Sequence, residues 1–292
     1  MGRGVVGKLM GLGGYLTWTA AGREIVKHAA RAGTDIKLLP VEVHGNFLKL
    51  ITSDVFKNNS DFTLHGDTNY RDQLVLPLVL NNPKANYCKG DSPEKAIHEF
   101  KSHIIEQICE CYGIQDPELK CVMHLTHEEK KFAKDFHEKV LNSERFITIE
   151  PYSKDNYTPN REYPIDKWQN IIDSLHSEIK IVQVGNSKNV LKNVIDLTGE
   201  TTFREAISVI RRSELFIASE SGLVHGATAV DTKSVVIITG YQHERMVAYP
   251  QNINVNIASH GPCGLKIECG QCLDDADAHN WKDLVTIIKK EI

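Results

Sequence analysis

The stretch that most restricts the architecture is residues 214–230, ELFIASESGLVHGATAV. Leu215, Phe216 and Ile217 read as a buried strand, and Ser219-Glu220-Ser221-Gly222 as the polar turn that ends it. An Ala- and Gly-rich helix begins near Leu223, with His225 in its first turn. A strand passing directly into a helix belongs to an open α/β sheet, where ligands bind at the carboxyl ends of the strands. The helix N-terminus offers unpaired N–H groups and partial positive charge to an anion. Gly222 lets backbone approach a ligand closely, and Glu220 can accept hydrogen bonds from sugar hydroxyls. Taken alone, the segment is equally an ordinary strand–turn–helix joint.

The alternation extends along the chain and predicts a mainly parallel sheet covered on both faces. Strands are expected at 5–9 and 36–43, with a helix over 19–31 between them. Ser92-Pro93-Glu94 carries an N-cap and a first-turn proline, predicting a long helix that runs on Ile97, Phe100, Ile104, Ile105 and Ile108 to Gly113. Thr126-His127-Glu128-Glu129 is a capping box ahead of Phe132, Phe136 and Val140. A fresh unit follows. It comprises a strand at 146–149, an amphipathic helix over 167–179 with Trp168, Ile171, Ile172 and Leu175 on one face, and a strand at 181–184. After a helix capped by Thr202 come the segment described above, a strand at 234–239 and a closing helix from about Trp281. The break at Leu141-Asn142-Ser143 suggests two domains, 1–144 and 145–292, with a cleft between them.

Two domains also suit a length of 292 residues, and 41% hydrophobic with 25% charged residues is ordinary globular composition. No apolar run approaches the roughly 18–20 residues needed to cross a bilayer. The glycine-broken start, MGRGVVGKLMGLGGYLTW, lacks a signal-peptide cleavage pattern, so the expected location is cytoplasmic. Residues 1–145 carry 19 Lys+Arg against 19 Asp+Glu, and the remainder 15 against 19. Neither half has the basic balance of most nucleic-acid binders. The seven cysteines do not form a secreted disulfide framework, since four are scattered before residue 122 and three cluster at 263–272.

Four places could carry chemistry. Gly11, Gly13 and Gly14 form a glycine-rich loop before the first helix, although its spacing is neither the dinucleotide fingerprint nor a Walker loop. After the strand at 146–149 stand Ser153 and, farther on, Lys167 beside Trp168; the lysine could reach a diphosphate or simply be solvated next to a core tryptophan. In the loop 196–202, Glu200 could hold ribose hydroxyls or compensate a helix dipole. Cys263, Cys269 and Cys272, flanked by His260 and His279, supply soft ligands for a structural zinc or iron, with a redox pair or buried thiols as the alternatives.

In this order the pieces resemble the heptosyltransferases of glycosyltransferase family 9. The likeness rests on FITIEPYS, DKW at 166–168, DLTGETT at 196–202, SESGLVHGATA at 219–229 and the tail GPCGLKIECGQC, and more loosely on GLGGYLTWTAAGREI near the start. It implies a GT-B fold: α/β, with two Rossmann-like domains facing across a cleft. The N-terminal domain would take the acceptor and the C-terminal domain an ADP-heptose-like nucleotide-diphosphate sugar. By the same likeness Ser153 and Lys167 would contact the diphosphate. Glu220, Ser221, Gly222 and His225 would line the sugar and phosphate site, and Glu200 would lie near the nucleoside. Transfer would proceed with inversion and without a catalytic metal.

Two positions depart from the family. Gly14 stands where the family has an aspartate that helps to deprotonate the acceptor, and Glu220 replaces another aspartate. A substitute base is then sought among Glu42, His44, His65 and Asp67, with Asp67 preferred. The expected activity is a glycosyltransferase acting on a glycan or other hydroxyl acceptor. Protein or hydroxymethylated DNA acceptors are the less favoured alternatives. From other classes, a catalytically silent sugar-nucleotide-binding protein and a GT-B epimerase remain open.

Overall fold

The computed structural model describes residues 11–64, 73–85, 87–152, 157–187 and 189–292. In the first half these residues form α1 (Leu12–Arg31), β1 (Ile36–His44), β2 (Phe47–Leu50), β3 (Leu74–Val79), β4 (Cys88–Asp91), β5 (Ala96–His98), α2 (Ile104–Glu110) and α3 (His127–Lys139). The second half contains β6 (Phe146–Glu150), α4 (Ile165–Leu175), β7 (Lys180–Gln183), β8 (Ile195–Asp196), α5 (Phe203–Ile210) and β9 (Phe216–Ser219). It continues with α6 (Gly222–Ala229), β10 (Ser234–Ile238), α7 (Glu244–Val247), β11 (Ile253–Asn256), α8 (Gly270–Ala278) and α9 (Trp281–Lys289). The strand expected at 5–9 lies outside the described residues.

β6 to β11 form one six-stranded sheet in the order β11-β10-β9-β6-β7-β8, parallel throughout. Its central strands are mainly apolar and wholly buried because both faces are covered. Alternate side chains enter different cores. Leu215 and Ile217 join Trp168, Ile171 and Leu284 beneath α4 and α9, whereas Phe216 and Ala218 face α5 and α6. The second core also takes in α1, α2 and the β1 strand, so one apolar body runs from the C-terminal sheet into the N-terminal half. Full burial of Trp168, Phe146 and Phe216 contributes roughly 1.5–3 kcal/mol per large side chain.

The described N-terminal sheet is smaller. It has the order β2-β1-β3, with β1 and β3 parallel and β2 antiparallel, and Pro77 is tolerated in β3 because that strand is at the edge. β4 and β5 pair as a separate hairpin.

One expectation fails here. Residues 92–103 are not helical: Ser92 caps a tight turn, its Oγ accepting from Lys95 N at 3.0 Å and its N donating to Lys95 O at 2.9 Å, and β5 follows. The real helix is α2, capped by His103 with Glu106 in a capping box. Ser92 caps no helix; its hydroxyl closes the turn of the β4–β5 hairpin instead. The capping boxes at Thr126 and Thr202 do start α3 and α5. Among the described residues no helix is long and apolar enough to cross a membrane.

Candidate donor site and cysteine cluster

The sheet order sets the site. β6 continues to β7 and β8 on one side and meets β9, which leads to β10 and β11, on the other, so the connections diverge between β6 and β9. Such a switch point opens a crevice beyond the strands' carboxyl ends, where α/β sheets bind ligands. Glu150 ends β6, and Glu220 and Ser221 follow β9 into the same place. Ser221 is the N-cap of α6 and also donates to Glu150 Oε2.

Arg161 completes the group. Its Nη2 donates to the Glu220 carbonyl at 2.7 Å, and its Nε stands 2.9 Å from Glu220 Oε1. That ion pair is close but poorly aligned, so both Glu220 carboxylate oxygens are buried without a hydrogen-bond partner among the described residues. The guanidinium is boxed by the rings of Tyr157 and Tyr241, 5.7 and 5.6 Å from its carbon. Burial pushes the Glu220 carboxyl up to about 6 against the opposing pull of Arg161. Burial also raises Glu150 to about 8, with the Ser221 hydroxyl and Arg161 pulling the other way. A largely buried cation, two carboxyls and the N-terminus of α6 therefore converge. The set can hold a diphosphate at the cation and the amides and sugar hydroxyls at the carboxylates.

The N-terminal half closes over this crevice. Gly11 is the N-cap of α1, and Gly13 and Gly14 lie inside the helix, so the expected glycine loop is its first turn. A Cβ on Gly13 would stand 2.8 Å from Gly222 Cα and 3.0 Å from the His225 ring, so glycine there permits the helix-to-helix contact. His225 Nδ1 lies 2.6 Å from the Tyr249 hydroxyl, and burial, helped by His103 and Arg161, holds its imidazole down at about 3. From the other side the hairpin brings His98 between Tyr87 and Tyr241, at ring distances of 5.7 and 5.5 Å. His98 Nδ1 is buried without a hydrogen-bond partner among the described residues, and burial lowers the group to about 4.

Other expected residues lie elsewhere. Lys167 is not brought to the crevice; its Nζ is bound by the carbonyls of Ala276, Asp277 and His279 at the end of α8, which it caps. Glu200 is exposed on the loop before α5. Ser153 and Asp67 lie outside the described residues. Arg161 was missed by sequence reasoning. Its only signal was membership of the polar loop after β6, and nothing in the pattern gave its direction.

Comparison with known proteins bears on the family and the fold. The family model described as glycosyltransferase family 9 (heptosyltransferase) matches residues 95–275, more than half of the chain. The chain belongs to glycosyltransferase family 9. Among solved structures, a family 9 glycosyltransferase from Veillonella parvula superposes with TM-score 0.62 at 13% identity over 85% of this chain and 83% of that one. The E. coli ADP-heptose lipopolysaccharide heptosyltransferase II gives 0.51 at 13% identity over 65% and 61%. TibC, an iron-containing dodecameric glycosyltransferase of enterotoxigenic E. coli, gives 0.54 at 14% over 74% and 62%. At these identities the likeness establishes the fold, the α/β GT-B architecture. No curated protein matches the chain.

The family 9 chain also carries a candidate metal centre. The ligand atoms of His260, Cys269 and Cys272 lie within 4.8 Å of one another. Cys263 Sγ is 3.4 Å from Cys272 Sγ, so a fourth donor adjoins them. His260 Nδ1 is engaged by Asp275 Oδ2 at 3.0 Å, which turns Nε2 toward the thiols as an outer-sphere carboxylate does for a ligating imidazole. A Cβ on Gly240 would stand 2.4 Å from this ring and 3.0 Å from Cys272 Sγ, so glycine leaves the cradle open. The donor set fits tetrahedral zinc or iron, which when bound would cross-link the segment structurally. His279, expected as a flanking donor, is instead 2.9 Å from the Tyr163 hydroxyl.

Proposed function

We propose that this chain transfers a sugar, of the heptose type, from a nucleotide-diphosphate donor such as ADP-heptose to an acceptor hydroxyl with inversion. The observation that carries this reading is the convergence of Arg161, Glu220, Ser221 and the α6 N-terminus at the switch point of a family 9 fold. Residues 145–292 would bind the donor, with Gly222 and His225 beside the sugar and phosphates and Glu200 near the nucleoside. Residues 1–144 would bind the acceptor. The scattered placing of four cysteines before residue 122, with three more clustered at 263–272, suits a reducing cytoplasm.

In the transfer, the acceptor oxygen bonds to the anomeric carbon as the bond to the diphosphate breaks. Arg161 and the amides of α6 take up the charge that grows on the leaving group, which is why no metal is assigned to the reacting centre. The acceptor proton goes to a base from the N-terminal half. Asp67 is assigned that role, and His98, neutral and with its buried Nδ1 unpartnered among the described residues, is the alternative. Parallel Asp67→Asn and His98→Gln variants separate the two, since the true base carries about 10²–10⁴-fold of the turnover.

The test is a thermal-shift screen of sugar nucleotides followed by a transfer assay. ADP-heptose should stabilise the wild type, and Arg161→Met and Glu220→Gln should lose stabilisation and transfer while remaining folded. Wild-type turnover in both variants would refute the donor site. One observation favours the silent binding protein as a second reading. The α1 N-terminus carries Gly14 and packs through Gly13 on Gly222, with no acidic residue in its first turn. Tight donor binding without hydrolysis or transfer would select it.

A further inference from the structure

The segment holding the cysteines does more than close on itself. Its Leu265 forms a single antiparallel bridge with Lys95, the residue before β5. Ala96 N donates to Gly264 O at 2.8 Å, Lys266 N donates to Glu94 O at 2.7 Å, and Lys266 Nζ pairs with Asp91. Gly264, at φ +60°, is required here because a Cβ would meet Ala96 O at 2.2 Å. The segment thus ties the C-terminal half to the hairpin that delivers His98.

On its other side stands Asn160, 1% exposed, with its whole amide committed to this one segment. Its Nδ2 donates to Leu265 O at 2.7 Å and Ile267 O at 2.8 Å, and its Oδ1 accepts from Cys269 N at 2.8 Å. Thr158 Oγ1 adds a bond to Leu265 O at 2.7 Å. Cys269 is one of the candidate metal ligands, and Arg161 is the residue after Asn160. Only the Cys269 main chain, one buried amide and one peptide bond therefore separate the metal-ligating sulfur from the cation of the donor crevice. Displacing a charged group by about 1 Å can cost roughly 10²-fold in a site built on positioning.

We propose that Asn160 is a positioning residue that transmits the geometry of the cysteine segment to Arg161, so that metal occupancy at His260, Cys269 and Cys272 sets the affinity of the crevice for a nucleoside diphosphate. The inference rests on the donor reading above for its ligand class. Arg161 is correctly aimed only while Cys269 is held. Loss of the metal loosens Cys269, then the three bonds of Asn160, then the contact of Arg161 with Glu220.

The experiment uses purified full-length protein, metal-loaded and chelator-stripped, with ADP as probe, alongside Asn160→Ala, Asn160→Asp and Arg161→Met. Chelation and Asn160→Ala should each weaken ADP binding by calorimetry about 10–100-fold, the range for outer-sphere partners of metal sites. Asn160→Asp, which keeps the acceptor and loses both donors, should do the same. Neither Asn160 loss should add to that of Arg161→Met, because residues acting through one contact are not additive. Amide hydrogen exchange at 157–161 and 219–222 should rise on chelation. Additive losses, unchanged ADP affinity after chelation, exchange changes confined to 260–275, or protein purified with well under one metal per chain would each overturn the proposal. If no state binds ADP while exchange at 157–161 still rises on chelation, the coupling stands and the donor reading fails.

Discussion

The two sheets of this chain solve the problem of burial differently. The C-terminal sheet has six parallel strands with helices on both faces, and every residue of β6, β9 and β10 is buried. The described N-terminal sheet has three strands, and all four residues of β2 are exposed. A doubly covered sheet fixes where its strands end, so the carboxyls of Glu150 and Glu220 sit on rigid supports. The N-terminal half instead reaches the crevice through a hairpin, a helix end and aromatic rings. The carboxyl side of the crevice is held by the fold, and the opposing side by individual contacts between the halves.

The strongest such contact should give the largest effect. Arg204 of α5 is buried, pairing with both oxygens of Glu129 at 2.6 and 3.0 Å and donating to the carbonyls of Asp54 and His124 at 2.9 and 2.6 Å. Glu129 also closes the capping box of α3, so one carboxylate ties α5 to the first half and starts a helix. Arg204→Ala should destabilise by about 3–5 kcal/mol, the usual consequence of stranding a buried charge. Chemical denaturation checks this. If the halves are joined mainly there, the variant should also unfold in two steps, with the C-terminal sheet melting last.

How much the sequence disclosed follows the same division. In the C-terminal half, apolar runs and amphipathic helices located β6, β9, α4 and α9 within a few residues, because burial on both sides leaves an unambiguous pattern. In the first half, Ile97 and Phe100 have helical spacing but are 58% and 45% exposed on strand and loop. A periodic pattern with a cap ahead of it could not reveal that the cap belonged to a hairpin. At the site, Glu220, Ser221, Gly222 and His225 were legible from the strand–turn–helix joint. Arg161 was not, since a loop side chain takes its direction from tertiary partners, here Tyr157, Tyr241 and Glu220. Lys167 was the decoy: a cation beside a core tryptophan, drawn to the end of α8 by carbonyls 109 to 112 residues away in sequence.

A smaller effect should come from the buried carboxyl that ends β6. Burial raises Glu150 to about 8, whereas an unfolded glutamate titrates near 4.5. Between those values the unfolded chain has lost a proton that the folded chain keeps, so raising the pH favours unfolding. The stability contribution is complete below about 4.5 and is lost as pH rises through about 8. His98 and His225, held low by burial, act in the opposite sense below 6.5 and are common to both proteins. Glu150→Gln retains an acceptor for Ser221 and cannot ionise. Its melting temperature should match wild type at pH 4.5 and exceed it by at least a few degrees at pH 8. Equal melting temperatures at both values would mean that water reaches the carboxyl and the crevice is wetter than its packing suggests.

The smallest effect belongs to β2. Phe47 is 79% exposed on an edge strand, beside Leu48 and across from His44. An exposed phenylalanine makes few contacts that folding creates, so Phe47→Ser should change stability by no more than roughly 0.5 kcal/mol. Edge strands with apolar side chains are also templates for pairing with another chain, so the same change should lower the tendency to associate at high concentration. Denaturation and light scattering read the two effects separately. A loss comparable with that of Arg204→Ala would mean that the face of β2 is covered in solution, and that the N-terminal sheet is as fully buried as its larger counterpart.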